Sequence, residues 1–395
     1  MTISQQVLLS DLQSRVAEVR DEIVTIRRDL HAYPELGWHE VRTTELIRQR
    51  LVAAGLSPQV LPTGTGLICD IGSGDTCVAL RADIDALPVT DGVDSPFRST
   101  HEGVAHACGH DMHTAILLGA AVVLARMAAE GLLTHRVRLI FQPAEEVMPG
   151  GALGVIAAGG MESVRRIYGL HCDPRLPVGQ VGLRIGALTA AADRVLVRLT
   201  GDGGHTSRPH LTGDLVYALA TLVTEMPAAL SRRVDPRAGL SLVWGRITAG
   251  SAANAIPSRG EAEGTLRCLD ANVWRLAADL IPSLAAQLIS PYGVEVSTEV
   301  THGVPPVIND PDAIGVLQRA TELSMGREAV APTDQSLGGE DFAWYLEHVP
   351  GAMARLGVRP AGVDNAADLH TPGFDPDEDA IAVGMTVLAS CALLD

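Results

Sequence analysis

The chain contains no lysine, and all 30 of its basic residues are arginine. A pyridoxal Schiff base, a lysine aldolase and a phosphate-binding P-loop each need a lysine amine, so the sequence excludes these three classes of chemistry. Positive charge is scarce as well, because 47 acidic residues give a net charge of −17. A chain of this charge repels nucleic acid and anionic membranes, and we expect its partner to be a small molecule.

Cysteines and long apolar runs are also few. The six cysteines lack the spacing of a disulfide framework, and the opening MTISQQVLLSDLQSRV lacks a basic region followed by a long apolar run. These features predict a reduced, cytoplasmic protein. The most apolar stretch, TAILLGAAVVLARMAAEGLL, contains Arg126 and Glu130. Since a membrane helix needs roughly 20 apolar residues in succession, we expect a buried helix here and no membrane partner.

The length and the pattern of the chain predict two domains. A chain of 395 residues exceeds the size of one growing core, and 47% hydrophobic residues can build two. Short β-rich runs such as CVALRADID and RVRLIFQPAEE alternate with helical stretches, which predicts an α/β fold with a mostly parallel sheet. From about residue 189 the pattern is typical of an antiparallel sheet covered by helices on one face. We predict a catalytic domain of residues 1–187 and 303–395 and an inserted α+β lid domain of residues 188–302.

The stretch His106 to His113, HACGHDMH, holds three histidines, a cysteine and an aspartate in eight residues. Thiolate and imidazole together suit a transition metal better than calcium or magnesium. A cysteine nucleophile activated by a neighbouring histidine base would also need a cysteine and a histidine close together. The stretch alone leaves both readings open.

Further metal-binding or proton-transferring side chains follow the predicted strands. In an open parallel sheet, ligands bind in the crevice beyond the carboxyl ends of the strands. The candidates for this edge are Asp83 and Asp85 after CVALRA, Glu145 and Glu146 after RVRLIFQPA, His171 at the end of RRIYGL, and His370 in the loop DLHTPGF. Buried carboxylates repel one another unless a cation compensates them, so the cluster predicts a metal site.

The adjacent glutamates divide two roles between them. Successive side chains at a strand end point in different directions, so one of the pair can bind an ion while the other stands beside the water that the ion activates. A carboxylate in that position can take the proton of the water at neutral pH. The pair therefore predicts one ligand and one general base.

Nine segments carry a family resemblance, in order along almost the whole chain: RADIDALPV, HACGHDMHTA, FQPAEE, GLHC, GGHTSRPH, NAIPS, GTLRCLD, GGEDFAWY and LHTPGF. As a set they resemble the hippurate hydrolase and aminoacylase branch of the dinuclear metallopeptidases, the family that includes carboxypeptidase G. The resemblance implies two divalent ions per chain, of zinc, manganese, nickel or cobalt, with Cys108 as a bridging thiolate. It implies the remaining ligands His110, Glu146, His171 and His370, and Glu145 as the general base.

Two departures mark this branch. Arg81 stands where the broader superfamily has a histidine, and Cys108 replaces the bridging aspartate. Asp83 is then expected to orient a ligand rather than to bind an ion.

The resemblance also assigns the predicted lid. It implies that His205 reaches the active site of a partner subunit and stabilises the oxyanion, which predicts a homodimer formed through the lid. Asn254 and Arg267 correspond to positions that hold the carboxylate of the substrate, a task that suits the bidentate arginine side chain.

The predicted function is a metal-dependent amidohydrolase. It would cleave N-acyl amino acids, either hippurate-like or N-acetyl, into a carboxylic acid and a free amino acid, by metal-activated water with Glu145 as base. Two alternatives remain: an amidase that uses Cys108 as its nucleophile, and a non-catalytic peptide-binding module of the same fold.

Overall fold

The computed structural model describes residues 3–395, with side chains from Leu8 onwards. The helices are α1 (Ile3–Ala32), α2 (Val41–Ala53), α3 (His110–Ala129), α4 (Ala152–Ala157), α5 (Leu215–Ser231), α6 (Ala271–Ile289), α7 (Pro311–Met325), α8 (Ala343–Leu346) and α9 (Ala380–Leu394). The strands are β1 (Gln59–Val60), β2 (Leu67–Ile71), β3 (Cys77–Asp83), β4 (Arg136–Gln142), β5 (Val164–Pro177), β6 (Val181–Leu183), β7 (Gly186–Ala187), β8 (Ala191–Thr200), β9 (Gly204–His205), β10 (Ser241–Ala249), β11 (Ala255–Ile256), β12 (Arg259–Cys268), β13 (Glu295–Val304), β14 (Ile308–Asn309), β15 (Val330–Pro332) and β16 (Gly351–Arg359).

The chain divides into two compact units. The first comprises the chain up to Gly186 together with Ile308–Asp334 and Asp341–Asp395, and the second comprises Ala187–Val307 and Gln335–Glu340. The sequence predicted that the inserted domain ends at residue 302, whereas the second unit continues to Val307. The sequence also predicted the segment 335–340 in the first unit. It belongs to the second because the amide of Ser336 donates to the carbonyl of Leu188 at 2.9 Å and the Gln335 side chain donates to the carbonyl of Ala187 at 3.1 Å.

An eight-stranded sheet forms the centre of the first unit, in the order β1-β2-β4-β3-β5-β16-β6-β15. The four middle strands, β4, β3, β5 and β16, pair in parallel. Antiparallel pairs join β2 to β4 and β6 to β16. Every residue of β3 is buried, as expected for a strand with a partner on each side and helices on its faces. The prediction of an α/β fold with a mostly parallel sheet is confirmed.

Strand β5 differs from its prediction. The sequence predicted that His171 closes the strand, but β5 continues to Pro177. Its pairing with β3 ends at Gly169, whereas its pairing with β16 continues as far as Pro177. His171 therefore lies inside a strand that extends beyond the end of its neighbour.

Helix α3 is apolar on all sides. Among the described residues it is the one helix long and apolar enough to cross a membrane by length and composition, and 72% of its most apolar window is buried within the protein. The core helix of a soluble protein passes the same test, so this helix is weak evidence for a membrane span. It packs against α1 and α9 in the core of the first unit.

The second unit has its own core. Its four-stranded sheet has the order β10-β12-β8-β13, and all three pairings are antiparallel. Helices α5 and α6 pack against each other and against strands of this sheet, and their apolar side chains form a separate cluster with those of the strands. The predicted role of this unit as a lid and dimerisation domain stays a prediction.

Candidate metal centre

The first turn of α3 places two candidate ligands. Cys108 precedes the helix, His110 is its first residue, and Gly109 between them has φ 87°. A Cβ at this glycine would lie 2.8 Å from the Cys172 sulfur, which is closer than real Cβ atoms approach a neighbour. Only glycine combines this left-handed backbone with so close an approach to β5.

Two groups of three candidate donors share the sulfur of Cys108. In each group the donor atoms lie within 4.8 Å of one another; one group is Cys108, His110 and His171, and the other is Cys108, Glu146 and His370. The Cys108 Sγ lies 3.6 Å from His171 Nε2 and 3.3 Å from His370 Nε2. The arrangement brings together all five residues that the resemblance named as ligands, within the first unit.

Hydrogen bonds orient two of the imidazole rings. The Nδ1 of His171 faces the carbonyl of Cys172 at 2.8 Å, and the Nδ1 of His110 faces Asp85, at 3.0 Å from its carbonyl and 3.1 Å from its Oδ1. A proton on each Nδ1 leaves each Nε2 as a lone-pair donor turned toward the cluster.

The donors fit a transition-metal ion. His110 Nε2 and Glu146 Oε1 are buried atoms without a hydrogen-bond partner among the described residues, and they lie 3.9 Å apart. Buried polar atoms are rarely left unpaired in native proteins. Together with the Cys108 sulfur, they make a mixed sulfur, nitrogen and oxygen donor set of the kind that binds zinc and related ions.

Electrostatics favour a cation at this place. Burial lowers the pKa of His171 well below its ordinary value, with help from Arg355, which keeps the ring in the neutral form that binds metals. Burial opposes charge on His110, yet the neighbouring Asp83 carboxylate and Cys108 sulfur raise the pKa of its ring well above the ordinary value. Burial raises the pKa of the Cys108 thiol, so its thiolate needs positive charge beside it.

Asp83 makes different contacts from those expected. It receives a 2.7 Å hydrogen bond from Arg81 and lies 2.6 Å from His113 Nδ1, while its nearest approach to His110 Nε2 is 3.7 Å. His113 Nε2 accepts the amide hydrogen of Cys172 at 2.9 Å. Asp83 therefore orients His113, and the carboxylate on the His110 ring is that of Asp85.

Arg81 anchors this arrangement from inside the sheet. It is 2% exposed, and besides Asp83 it donates to Gln142 at 2.9 Å and to Asp341 at 2.7 Å. Its guanidinium group compensates two buried carboxylates.

The predicted base and its neighbour sit in a turn after β4. Ala144 has φ 51°, in the left-handed region that residues other than glycine seldom adopt. Glu145 is 7% exposed, and its Oε2 lies 3.9 Å from His110 Nε2. Glu146 turns its Oε1 toward His370 Nε2 at 3.3 Å. The two carboxylates thus approach the cluster from different positions.

The loop that carries His370 is held by its backbone. His370 has φ 61°, and its amide donates to the carbonyl of Ala107 at 2.8 Å. Backbone strain of this kind persists where the surrounding structure fixes it, often at functional sites. The Glu146 carboxylate, 3.3 Å from the ring, raises the pKa of His370.

The remaining predicted residues lie in the second unit. His205 is exposed, and its Nδ1 accepts the hydroxyl of Ser207 at 2.8 Å. It belongs to β9, which pairs with β11, and the carbonyl of Asn254 just before β11 accepts the amide of Thr206. Arg267 lies on β12, and its Nη1 is buried without a hydrogen-bond partner among the described residues.

A family model described as peptidase family M20/M25/M40 matches residues 79–394. The chain belongs to this family. The predicted resemblance is therefore confirmed, and this M20 chain is a metal-dependent hydrolase of amide bonds. The roles of its individual site residues stay predictions.

Three similar proteins illustrate the range of the family. The M20 chain is 38% identical to the N-acetyl-L-cysteine deacetylase of Bacillus subtilis over 93% of this chain and 86% of that protein. It matches the structure of a Bacillus subtilis protein described as a dinuclear metal binding peptidase from the M20 family, with a TM-score of 0.83 and 32% identity over 95% of this chain and 98% of that one.

The third similar protein is longer. A Rhodococcus jostii protein that carries the name glutamate–cysteine ligase 2-3 is 49% identical over 95% of this chain but over 47% of its own length. The M20 chain thus spans about half of that relative, and the name describes the longer protein.

The side chains that contact the proposed ligands and their neighbours were not predicted from the sequence. His113 lies in HACGHDMH three residues after His110 and therefore on the same face of α3. That spacing could have indicated its contact with Asp83. Asp85 was a candidate from its place after β3, but no pattern indicated which atoms it contacts.

Proposed function

We propose that the chain hydrolyses N-acyl amino acids, either hippurate-like or N-acetyl, and releases a carboxylic acid and an amino acid. The observation that carries this proposal is the pair of three-donor groups that share the Cys108 sulfur, with Glu145 Oε2 3.9 Å from His110 Nε2. Similarity to an N-acetyl-L-cysteine deacetylase supports an N-acyl amino acid as the substrate class.

Five side chains would hold two divalent ions: Cys108, His110, Glu146, His171 and His370. Similarity to a dinuclear peptidase supports the number of ions. Zinc, manganese, nickel and cobalt are the candidate metals, since the donors include a thiolate and imidazoles. When bound, such ions supply Lewis acidity and a water whose pKa is lowered to about 7.

Glu145 acts as the general base. Its carboxylate takes the proton of the attacking water while the new carbon–oxygen bond forms at the amide carbonyl. It then gives that proton to the amide nitrogen as the carbon–nitrogen bond breaks, which lets the amino acid leave as a neutral amine. The low exposure of Glu145 keeps bulk water away from this transfer.

Residues of the second unit complete the proposed reaction. Arg267 and Asn254 bind the carboxylate of the amino-acid part of the substrate. The Nη1 of Arg267 is buried and lacks a hydrogen-bond partner in the described structure. His205 donates a hydrogen bond to the developing oxyanion from a partner subunit, so the protein works as a homodimer. A cytoplasmic location stays a prediction.

Two experiments test this function against its alternatives. Metal-loaded protein is assayed with acetyl, benzoyl, indole-acetyl and aminobenzoyl amino acids; chelator should abolish hydrolysis, and added metal should restore it. Cys108→Ala should lower metal content and rate together. Full metal content in that variant, with an acyl-enzyme accumulating in the parent, would establish a cysteine amidase instead. Absence of hydrolysis by the fully loaded parent across the panel would favour a binding module.

A further inference from the structure

Glu40 is a buried carboxylate to which the reaction above gives no role. It precedes α2 and is 0% exposed. Its Oε1 accepts the amide hydrogen of Ala144, the residue immediately before Glu145, at 2.7 Å. Ala144 has the strained φ of 51°, and its carbonyl accepts the amide of Gly151 at 3.0 Å. Both polar backbone groups of Ala144 are therefore fixed from outside the turn.

A second buried carboxylate holds the other side of Glu145. The Oδ2 of Asp85 accepts the amide hydrogen of Glu146 at 3.0 Å, while its Oδ1 contacts His110 Nδ1 at 3.1 Å. Asp85 is 1% exposed. The two carboxylates come from separate segments of the first unit and hold the amides of the residues before and after Glu145.

The segment before α2 that contains Gly37 also packs directly against the turn that contains Ala144. A Cβ at Gly37 would lie 2.7 Å from Val147 Cγ2 and 3.2 Å from the Cα of Ala144. Glycine at this position allows the segment to approach the turn closely enough for Glu40 to reach it.

We propose that Glu40 and Asp85 form a carboxylate clamp that positions the turn Ala144–Glu146 for amide hydrolysis. By holding the amides on either side of Glu145, the clamp keeps the Glu145 carboxylate beside His110 Nε2 while Glu146 points to the Cys108 and His370 donors. This inference rests on the proposed role of Glu145 as the base. Neither member of the clamp touches the substrate, so both are positioning residues.

The two members differ in what their loss should do. The hydrogen bond of Glu40 goes to Ala144, which is not one of the five proposed metal ligands. Loss of Glu40 should therefore displace the base and spare the metal. Asp85 contacts His110 and the backbone of Glu146, so its loss should disturb the metal as well. Glu40 is therefore the cleaner member to test.

The test compares two substitutions of Glu40 in the metal-loaded protein. Glu40→Leu removes the acceptor at similar volume, whereas Glu40→Gln keeps an oxygen that can accept the Ala144 amide. For Glu40→Leu we expect kcat to fall about 10- to 100-fold, since a small misplacement of a reacting group costs up to about 100-fold. KM and metal content should stay near those of the parent, and Glu40→Gln should restore kcat to within about threefold.

Hydrogen exchange measured by mass spectrometry gives a readout independent of activity. Peptides that cover residues 143–150 should exchange faster in Glu40→Leu than in the parent, and Glu40→Gln should return them toward the parent rate. Glu35→Leu is the matched control, because Glu35 accepts the amides of Arg42 and Thr43 at the start of α2. It should loosen residues 41–44 without changing exchange at 143–150 or kcat.

Three results would overturn the clamp. The first is that folded Glu40→Leu keeps the kcat and the exchange rate of the parent. The second is that Glu40→Leu loses protection from exchange over the whole chain and also loses metal. The third is that Glu40→Gln behaves like Glu40→Leu. If Glu40→Leu does not fold, the Ala144 amide of the parent decides, because exchange as fast as in an exposed loop contradicts the clamp. A parent that cleaves no N-acyl amino acid rejects the proposed function while the exchange readout still tests the clamp.

Discussion

Two adjacent residues, Glu145 and Glu146, are proposed to act in different ways. The Oε1 of Glu146 lies 3.3 Å from His370 Nε2, and the Oε2 of Glu145 lies 3.9 Å from His110 Nε2. A base acts in the transition state, and a ligand acts on metal occupancy. Glu145→Gln should therefore keep the metal and lose at least about 100-fold in kcat, while Glu146→Gln should lose metal. Metal analysis and steady-state kinetics on both variants check the difference.

The pair of variants is its own control, because both replace a carboxylate by an amide of the same shape in the same turn. Equal loss of metal from Glu145→Gln and Glu146→Gln would overturn the assignment of the base. A Glu145→Gln variant with parental kcat and full metal would exclude Glu145 from the reaction altogether.

Single residues were predictable where chemistry alone singled them out. A cysteine and histidines in HACGHDMH indicate a ligand set whatever the fold, and the family resemblance assigned the remaining donors. Asp83 shows where this fails. Two aspartates lie two residues apart after the same run, and only the geometry of β3 decides that Asp83 contacts His113 and Asp85 contacts His110. The role of Glu40 depends on a hydrogen bond that its side chain accepts from a backbone amide 104 residues away, which no local pattern encodes.

At the scale of elements, the junction between Cys108 and α3 depends on Gly109. Its φ of 87° and the 2.8 Å approach of the added Cβ to Cys172 Sγ both oppose a side chain. Gly109→Ala should therefore lower the free energy of unfolding by more than the roughly 1–2 kcal/mol that left-handed backbone costs an L-residue. It should also lower metal content, since Cys108 and His110 flank the glycine. Thermal unfolding and metal analysis measure the two effects.

Gly131→Ala provides the matched control for this prediction. Gly131 follows the C-terminal end of α3 with φ 75°, and a Cβ there would meet nothing within 4 Å. The control should show the backbone strain alone and keep its metal. If Gly109→Ala lost no more stability than Gly131→Ala and stayed fully loaded, the close approach to Cys172 would have no consequence for the site.

A buried ion pair joins α1 to α3. His31 Nδ1 lies 2.7 Å from Asp111 and its Nε2 lies 3.2 Å from Asp91. Burial opposes the charge of His31, but these carboxylates raise its pKa to about 9. The unfolded value is about 6.5, so the stabilisation is fully present below pH 6.5 and is lost as the pH rises through about 9. It amounts to at most about 3 kcal/mol at 1.36 kcal/mol per pKa unit.

Urea unfolding at pH 6.5 and pH 9.5 tests this pair. The free energy of unfolding of the parent should decrease from pH 6.5 to pH 9.5. His31→Gln should be less stable than the parent at pH 6.5, and its free energy of unfolding should decrease less over the same pH range. His348→Gln, which replaces an exposed histidine, should keep the slope of the parent. If the free energy of unfolding decreased equally with pH in the parent and in His31→Gln, another group would be responsible for the pH dependence.

Strand ends were harder to predict than the strands themselves. The run RRIYGLH predicts a strand, but the prolines that follow it, Pro174 and Pro177, favour a stop at His171. The strand continues because β3 has already ended at that level, so one side of β5 no longer needs amide donors while β16 still pairs with the other. Which strand ends first is a property of the assembled sheet.

At the scale of the whole molecule, alternating β-rich and helical segments were enough to predict the α/β class. The middle segment with amphipathic alternation corresponds to the antiparallel sheet of the second unit. The segment 335–340 could not be assigned in this way. It joins the second unit through backbone pairing with Leu188 and Thr189, about 150 positions earlier in the chain, and no periodicity in the sequence marks that contact.

The distribution of proposed residues over the two units leads to a test of the assembled protein. The metal donors and Glu145 belong to the first unit, whereas the exposed His205 belongs to the second. If His205 acts across a two-fold dimer interface, each site takes Glu145 from one chain and His205 from the other. Inactive His205→Ala and inactive Glu145→Gln, mixed to form dimers of both kinds, should then regain activity, because one site per mixed dimer is intact.

Random exchange at equal amounts should restore about a quarter of the parental activity per chain, since about half of the dimers are mixed and one of their two sites works. Cys108→Ala mixed with Glu145→Gln is the control; both changes damage the same half of the site, so this mixture should stay inactive. Persistent inactivity of the His205→Ala mixture, with exchange verified by mass spectrometry of differently tagged chains, would mean that each chain uses its own histidine or none. The same mixture regaining activity without dimers in solution would contradict the homodimer itself.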